Sequence, residues 1–294
     1  MKRKRLWIWL LLLVGLLIIS LLIYRKVSGK SLGIMNTFYT IRNITKSVLD
    51  SKNVTAENQG DYTNILFVHH SVGKNLISEG GLREAMQNKG YLFWDQDYSY
   101  YGLTKPDGNP SGYSYTIPHD NTDIDGYAAI FKQRVYTMPV NAISAFLQHE
   151  VIVFKSCYPN SAIHDDDELE LHKHQYLEMR DRFDQFPGHI FILVTTPPLN
   201  PAETNLEEAA RARALNTWLS SHEFTDGHPN LFVFDFFTLL AEDNPSASDF
   251  NMLKSGFRNG TDSHPNQTAN KEIAPLLAEF IKESISQYKS HTNQ

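Results

Sequence analysis

Three residues from two distant stretches of the chain have the types needed to move a proton and attack a carbonyl. Ser71 closes the run "NILFVHHS" at 64–71, and Asp262 and His264 stand two positions apart in "GTDSHPN" at 260–266. A serine hydroxyl is a poor nucleophile until a base takes its proton, and a histidine serves as that base best when an acceptor fixes its tautomer. His264 is the candidate base for Ser71, and Asp262 the candidate acceptor for His264. Each half also has a plainer reading: serine is common where a strand ends, and Asp262 or Thr261 could cap the helix that follows. Gly73 lies two positions beyond Ser71, so backbone N–H groups of Ser71 and Gly73 at a helix start are candidates to stabilise an oxyanion.

Neighbouring polar residues supply weaker candidates. His70 either orients Ser71 or contacts substrate, against a structural histidine bonded to backbone; His69 should point to the opposite face if the strand continues. That opposition makes a metal site from His69, His70, Asp262 and His264 the less favoured reading. In "HDDDELELHKH" at 164–174 the acids suit a helix start, and His172 and His174 do not share a helical face. Cys157 has no evident base in sequence and reads as a buried structural thiol. No glycine spacing that would wrap phosphates is present, so neither a cofactor nor a metal is predicted.

The elements that must position these residues follow from periodicity. Four apolar runs, "NILFVHH", "EVIVFKSC", "HIFILVTT" and "NLFVFDFF", are nearly continuous, as in parallel strands covered on both faces. Helical spacing occupies 74–88, "ELELHKHQYLEMRDRFDQF", "AETNLEEAARARALNTWLSSH" and about 268–287, where Pro275 marks a kink or a boundary. Strands alternating with helices predict an α/β fold, a three-layer α/β/α sandwich with a mostly parallel central sheet and ligand groups beyond the carboxyl ends of the strands. Residues 91–127, rich in Tyr with Trp94, Asp, Asn and Gly, read as an aromatic polar insertion, either a plain surface loop or a substrate wall.

Together, "FVHHSVG" and "DSHPN" resemble the SGNH, or GDSL-like, hydrolase family. The prolines of "ILVTTPPLNP" at 192–201 look like a post-strand segment of many members. The resemblance spans most of 62–285. It implies a serine hydrolase of the carboxylic-ester class, with Ser71 as nucleophile and Asp262 and His264 as its partners. The chain departs from the family pattern in three places. His69-His70 replaces the usual Gly-Asp before the serine. The asparagine that donates to the oxyanion has only Asn160 as a counterpart, with a turn role beside Pro159 as its plainer reading, and Ser156 or a backbone amide as alternatives. The second-motif glycine is unassigned between Gly112 and Gly126.

The amino end bears on location. Four basic residues, Lys2 to Arg5, precede an uncharged stretch at 6–24, long enough to cross about 30 Å of hydrocarbon. Bulky residues follow it where a cleavage site would need small ones, so residues 1–30 read as a basic cytoplasmic end and an uncleaved transmembrane anchor. Residues 31–61 then form a stalk or linker with one short helix, and 62–294 an extracytoplasmic hydrolase-like domain on a single-pass membrane protein. Without the seven basic groups of 1–30, 20 basic residues remain against 33 acidic ones, a charge that repels nucleic acid. The expected substrate is a small acyl ester, acetyl included, on a cell-envelope or extracellular carbohydrate; a lipid or simple carboxyl ester is the variant. The alternative of another class is a tethered carbohydrate-binding or assembly protein without turnover, marked by side chains too far apart for a relay.

Overall fold

A computed structural model describes residues 34–292. The stretch at 6–24 expected to form the anchor lies outside the described residues, and among those described no helix is long and apolar enough to cross a membrane. The chain divides into two compact units, 1–43 and 44–294, and the second carries all the candidate residues.

That second unit is built on six strands: β1 (Asn64–Val68), β2 (Leu92–Gln96), β3 (Leu103–Thr104), β4 (Val151–Lys155), β5 (Ile190–Val194) and β6 (Leu231–Phe234). Their order across the sheet is β3-β2-β1-β4-β5-β6, all parallel except the short edge strand β3. Every residue of β1, β4 and β5 is buried, which explains their unbroken apolar runs. Because side chains alternate along a strand, Leu66, Val68, Ile152 and Phe154 enter one core and Ile65, Phe67, Val151 and Val153 the other. Helices α4 (Ile124–Phe131), α5 (Ala142–Phe146), α6 (Asp166–Phe183) and α7 (Leu206–Leu219) close the first core. Helices α2 (Ser71–Ser78), α3 (Leu82–Asn88), α9 (Phe236–Leu240) and α10 (Gln267–Thr292) close the second; the four-residue α8 (His222–Thr225) adds Phe224 to the first. The sheet is thus α/β and mostly parallel, with helices on both faces.

Four features differ from the sequence reading. The helix expected over 74–88 is two helices, broken where Gly81 takes φ +74° and where Gly80 packs so closely on α10 that a Cβ would lie 2.4 Å from the Asn270 carbonyl. Residues 91–127 are no surface insertion: they hold β2 and β3, and bury Trp94, Tyr113, Tyr115 and Tyr127. The polar residues that disguised β2 are paired: Asp95 with Arg83, and Gln96 with the Asp97 carbonyl, Ser114 and the Tyr115 amide. The supposed stalk contains α1 (Ile34–Val54), and its part from 44 onward packs on the body: Asp50 accepts from the Tyr113 hydroxyl at 3.1 Å and the Val54 carbonyl from Asn64 at 2.6 Å. Finally, α10 runs through Pro275, which sits on its exposed face and so marks no boundary.

A buried polar set pins the lower end of β1. His149 bonds Asn64 Oδ1 through Nδ1 and the Tyr115 hydroxyl through Nε2, both at 2.8 Å. One nitrogen donates and the other accepts, the pattern of a neutral ring. Burial pulls the His149 pKa down to about 3, and that of buried His69 to about 4. Unfolding frees both rings to take up protons below pH about 6.5, so stability present above that pH is lost as pH falls toward these folded values. Urea unfolding between pH about 6.5 and 5 should therefore show a midpoint that drops with pH, and His149→Gln should reduce the slope by about one proton. An unchanged slope in the variant would contradict the neutral buried ring.

Candidate active site

The site begins where β1 runs out. The His69 amide still donates to the Gln96 carbonyl at 3.0 Å, extending the ladder, and His70 is extended at φ −120° and ψ −151°. Ser71 is the first residue of α2. No side chain of His70 caps the helix, and the first of its amides to find a backbone carbonyl is Lys74, bonded to His70 at 3.0 Å. The preceding N–H groups thus open toward the serine. Gly73 makes the turn possible, since a Cβ there would lie 2.3 Å from the His69 Cβ. Only a glycine lets the helix start this close to the strand.

From the other end of the chain, the loop before α10 brings His264 to Ser71. His264 Nε2 lies 2.7 Å from Ser71 Oγ, and His264 Nδ1 lies 2.8 Å from Asp262 Oδ1. The same Asp262 oxygen accepts the His264 backbone N–H at 3.1 Å, so the one-residue spacing lets one carboxylate fix both main chain and ring. With Nδ1–H donating to the carboxylate, Nε2 is free to accept the serine proton. Burial alone would raise the Asp262 carboxyl, but the bonds from the His264 ring and backbone outweigh it and hold the pKa below the ordinary carboxylate value.

The loop is itself pinned. Asn200 donates through its side chain to the carbonyls of Gly260 and Asp262 at 3.0 and 3.2 Å, and through its backbone to Ser263 Oγ at 2.9 Å. Ser263, fully buried, donates in turn to Glu203. Asn266 ties the loop to Gly256 and Arg258 and caps α10 at Ala269. The "PPLNP" segment after β5 therefore acts as a brace for the histidine.

Two residues beside Ser71 were not assigned to the site from sequence. Cys157 is not remote from it: its Sγ lies 3.6 Å from Ser71 Oγ. The Tyr98 hydroxyl lies beside both the hydroxyl and the amide of Ser71; burial raises its pKa, and those contacts partly offset the rise. His70 supports this tyrosine, stacking on its ring with centroids 3.7 Å apart, while Nδ1 meets Thr122 at 3.0 Å and Nε2 lies 3.9 Å from Asp120. His69 turns away into the core, bonding the His70 carbonyl at 2.9 Å and approaching Asp95 at 3.2 Å.

Of its two readings, Asn160 takes the turn role and not that of an oxyanion donor. Its amide gives one hydrogen bond to Asp123 at 2.6 Å and one to the Cys157 carbonyl at 3.3 Å, while its oxygen accepts from the Ile124 amide. Both donors are occupied in fastening the turn after β4 to α4. Ser156 is buried, its carbonyl accepting from Lys155 at 2.7 Å. Gly126 packs against Asn121 and Gly112 beside Lys46, so neither supplies an evident counterpart of the second-motif glycine.

No family model and no curated protein sequence matches this chain. Among solved structures it is similar to a Bacteroides fragilis protein described as a "putative acylhydrolase", at 12% identity and TM-score 0.43, covering 76% of this chain and 86% of that one. It is also similar to tail-truncated TubZ of Clostridium botulinum phage c-st, at 14% identity and TM-score 0.39, covering 77% of this chain and 66% of that one. Neither likeness assigns the site, whose reading rests on the distances above.

The turn at Gly73 can be tested directly. Gly73→Ala forces His69 or the helix start to shift, an overpacking expected to cost about 1–3 kcal/mol in urea unfolding. It should also displace Ser71 from His264 and slow reaction of the serine with a fluorophosphonate. Normal stability together with normal reactivity would show that the close approach is unimportant.

Proposed function

We propose that the protein is a serine esterase of the SGNH, or GDSL-like, type that hydrolyses a small acyl ester, such as an acetyl ester, on a cell-envelope or extracellular carbohydrate. One observation carries the reading. A hydroxyl, an imidazole and a carboxylate from opposite ends of the domain stand in hydrogen-bond sequence, at 2.7 and 2.8 Å, above the carboxyl end of a parallel strand. A fold that only binds a ligand has no need of such a relay, so the non-catalytic alternative is less well supported.

Ser71 Oγ attacks the acyl carbon as its proton passes to His264 Nε2, and the carbonyl electron pair moves onto oxygen. The amides at the start of α2, those of Ser71 and Gly73, face the oxyanion. Collapse of the tetrahedral centre breaks the bond to the alcohol, which leaves with the proton from His264. Water then repeats the sequence: His264 takes its proton, the oxygen adds to the acyl carbon, and the carboxylic acid departs as Ser71 regains its hydrogen. Asp262 keeps Nδ1 protonated throughout and stabilises the imidazolium.

Two features support a carbohydrate substrate outside the cytoplasm. Ser71 and His264 line a cleft in which Pro265 is the one apolar residue, a surrounding suited to a hydroxyl-rich substrate. The uncharged stretch at 6–24 supports a single-pass anchor that holds the domain near envelope polymers.

The full-length protein in detergent should react with a fluorophosphonate at Ser71, located by peptide mass analysis, and Ser71→Ala should abolish the adduct. Asp262→Asn should lower kcat on an aryl acetate by on the order of 10³- to 10⁴-fold, through loss of the correct tautomer. A folded protein left unlabelled at Ser71 would overturn the esterase reading.

A further inference from the structure

Ser71 and Asn75 share one face of α2, and Glu79, which caps its end, lies along the same line. Opposite that face runs the loop at 259–267. Between them lies a cleft of about 570 Å³ whose lining includes the nucleophile and His264, and in which Pro265 is the one apolar residue. The cleft is therefore a polar extension of the site.

Its polar groups differ in what they have left to offer. Asn266 is spent on the carbonyls of Gly256 and Arg258 and on the Ala269 amide. Asn270 holds one oxygen of Glu79, at 2.8 Å. Among the described residues, no hydrogen bond forms from the side-chain amides of Asn75, Asn259 or Gln267, although all three line the cleft. An amide offers two donors and an acceptor without net charge, which matches a hydroxyl that both gives and accepts. A wall so short of apolar surface gives a fatty chain nothing to pack on, and Glu79 with Asp262 repels a phosphate. Neutral, densely hydroxylated molecules fit.

The chemistry fixes which half of the ester enters. Protonated His264 must deliver its proton to the departing oxygen, so that oxygen has to lie on the His264 side of Ser71. His264 lines this cleft, whereas Cys157 and Tyr98, which crowd Ser71, do not. We propose that the cleft between α2 and the 259–267 loop is the alcohol-side subsite, and that it takes a neutral sugar or other polyol whose hydroxyls are read by Asn75, Asn259 and Gln267. The assignment rests on the esterase reading and adds to it the part of the substrate that leaves and the residues that select it.

The test compares two acetates on the full-length protein: a monoacetylated methyl glycoside and 4-nitrophenyl acetate, whose leaving group has no hydroxyls to read. Asn75→Ala, Gln267→Ala and the double variant are measured beside wild type, with thermal melts confirming that each is folded. The double variant should lower the glycoside-to-aryl ratio of kcat/KM by about ten- to a hundredfold, as expected for the loss of two or more neutral hydrogen bonds, and each single variant by less. A ratio within twofold of wild type in all variants, with both esters still cleaved, overturns the subsite and leaves the esterase standing. If wild type cleaves neither ester and Ser71 resists fluorophosphonate, the esterase reading falls and the subsite with it.

Discussion

The closeness of α2 to the end of β1 is the constraint on which the site depends. A helix that starts two residues beyond a buried strand must pass its first turn over the side chain of the last strand residues, here His69, and Gly73 is where the contact occurs. The consequence is geometric. Ser71 is lifted above the sheet edge with its hydroxyl outward, and the N-terminal amides of α2 come to the same place as the hydroxyl they would assist. Because no side chain of His70 caps them, the positive end of the helix stays available at the nucleophile.

Beneath that turn the protein buries charged groups and gives each a polar or aromatic partner. Asp95 meets Arg83 and lies 3.2 Å from His69. One strand over, the buried Lys155 amine donates to the Ser156 carbonyl at 2.7 Å and faces the ring of Phe236, and burial draws its pKa down to about 8. These groups touch no candidate substrate position. They fasten the turns that leave β1 and β4, and so hold Ser71 and Cys157 side by side. Breaking a buried pair on one side leaves an uncompensated charge, so the arrangement resists small shifts that would open the relay.

Legibility in the sequence followed the range of the interaction. The relay residues could be found because each half is local: a polar residue closing an apolar run, and an acceptor two positions from a histidine ahead of an amphipathic helix. The strands β1, β4, β5 and β6 were legible for the same reason. β2 was not, because "LFWDQ" carries two polar residues whose partners lie elsewhere: Arg83 for Asp95, and Ser114 with the Tyr115 amide for Gln96. The choice between the two readings of Asn160 was not legible because the partner of its amide, Asp123, lies 37 residues away. Cys157 and Tyr98 had no sequence signal, since their place beside Ser71 arises only when β1, β2 and β4 lie adjacent in the sheet.

Those two residues make the surroundings of Ser71 asymmetric, and the asymmetry has chemical meaning. On one flank a thiol and a phenol crowd the hydroxyl, a setting that suits the short acyl group of the proposed reaction. On the other, His264 and the uncommitted amides face open space. In the proposed reaction, with Asn160 occupied, oxyanion stabilisation rests on the α2 amides, and the Tyr98 ring beside Ser71 is held by its stack on His70. His70 thus acts on the surroundings of Ser71 through the ring it stacks on.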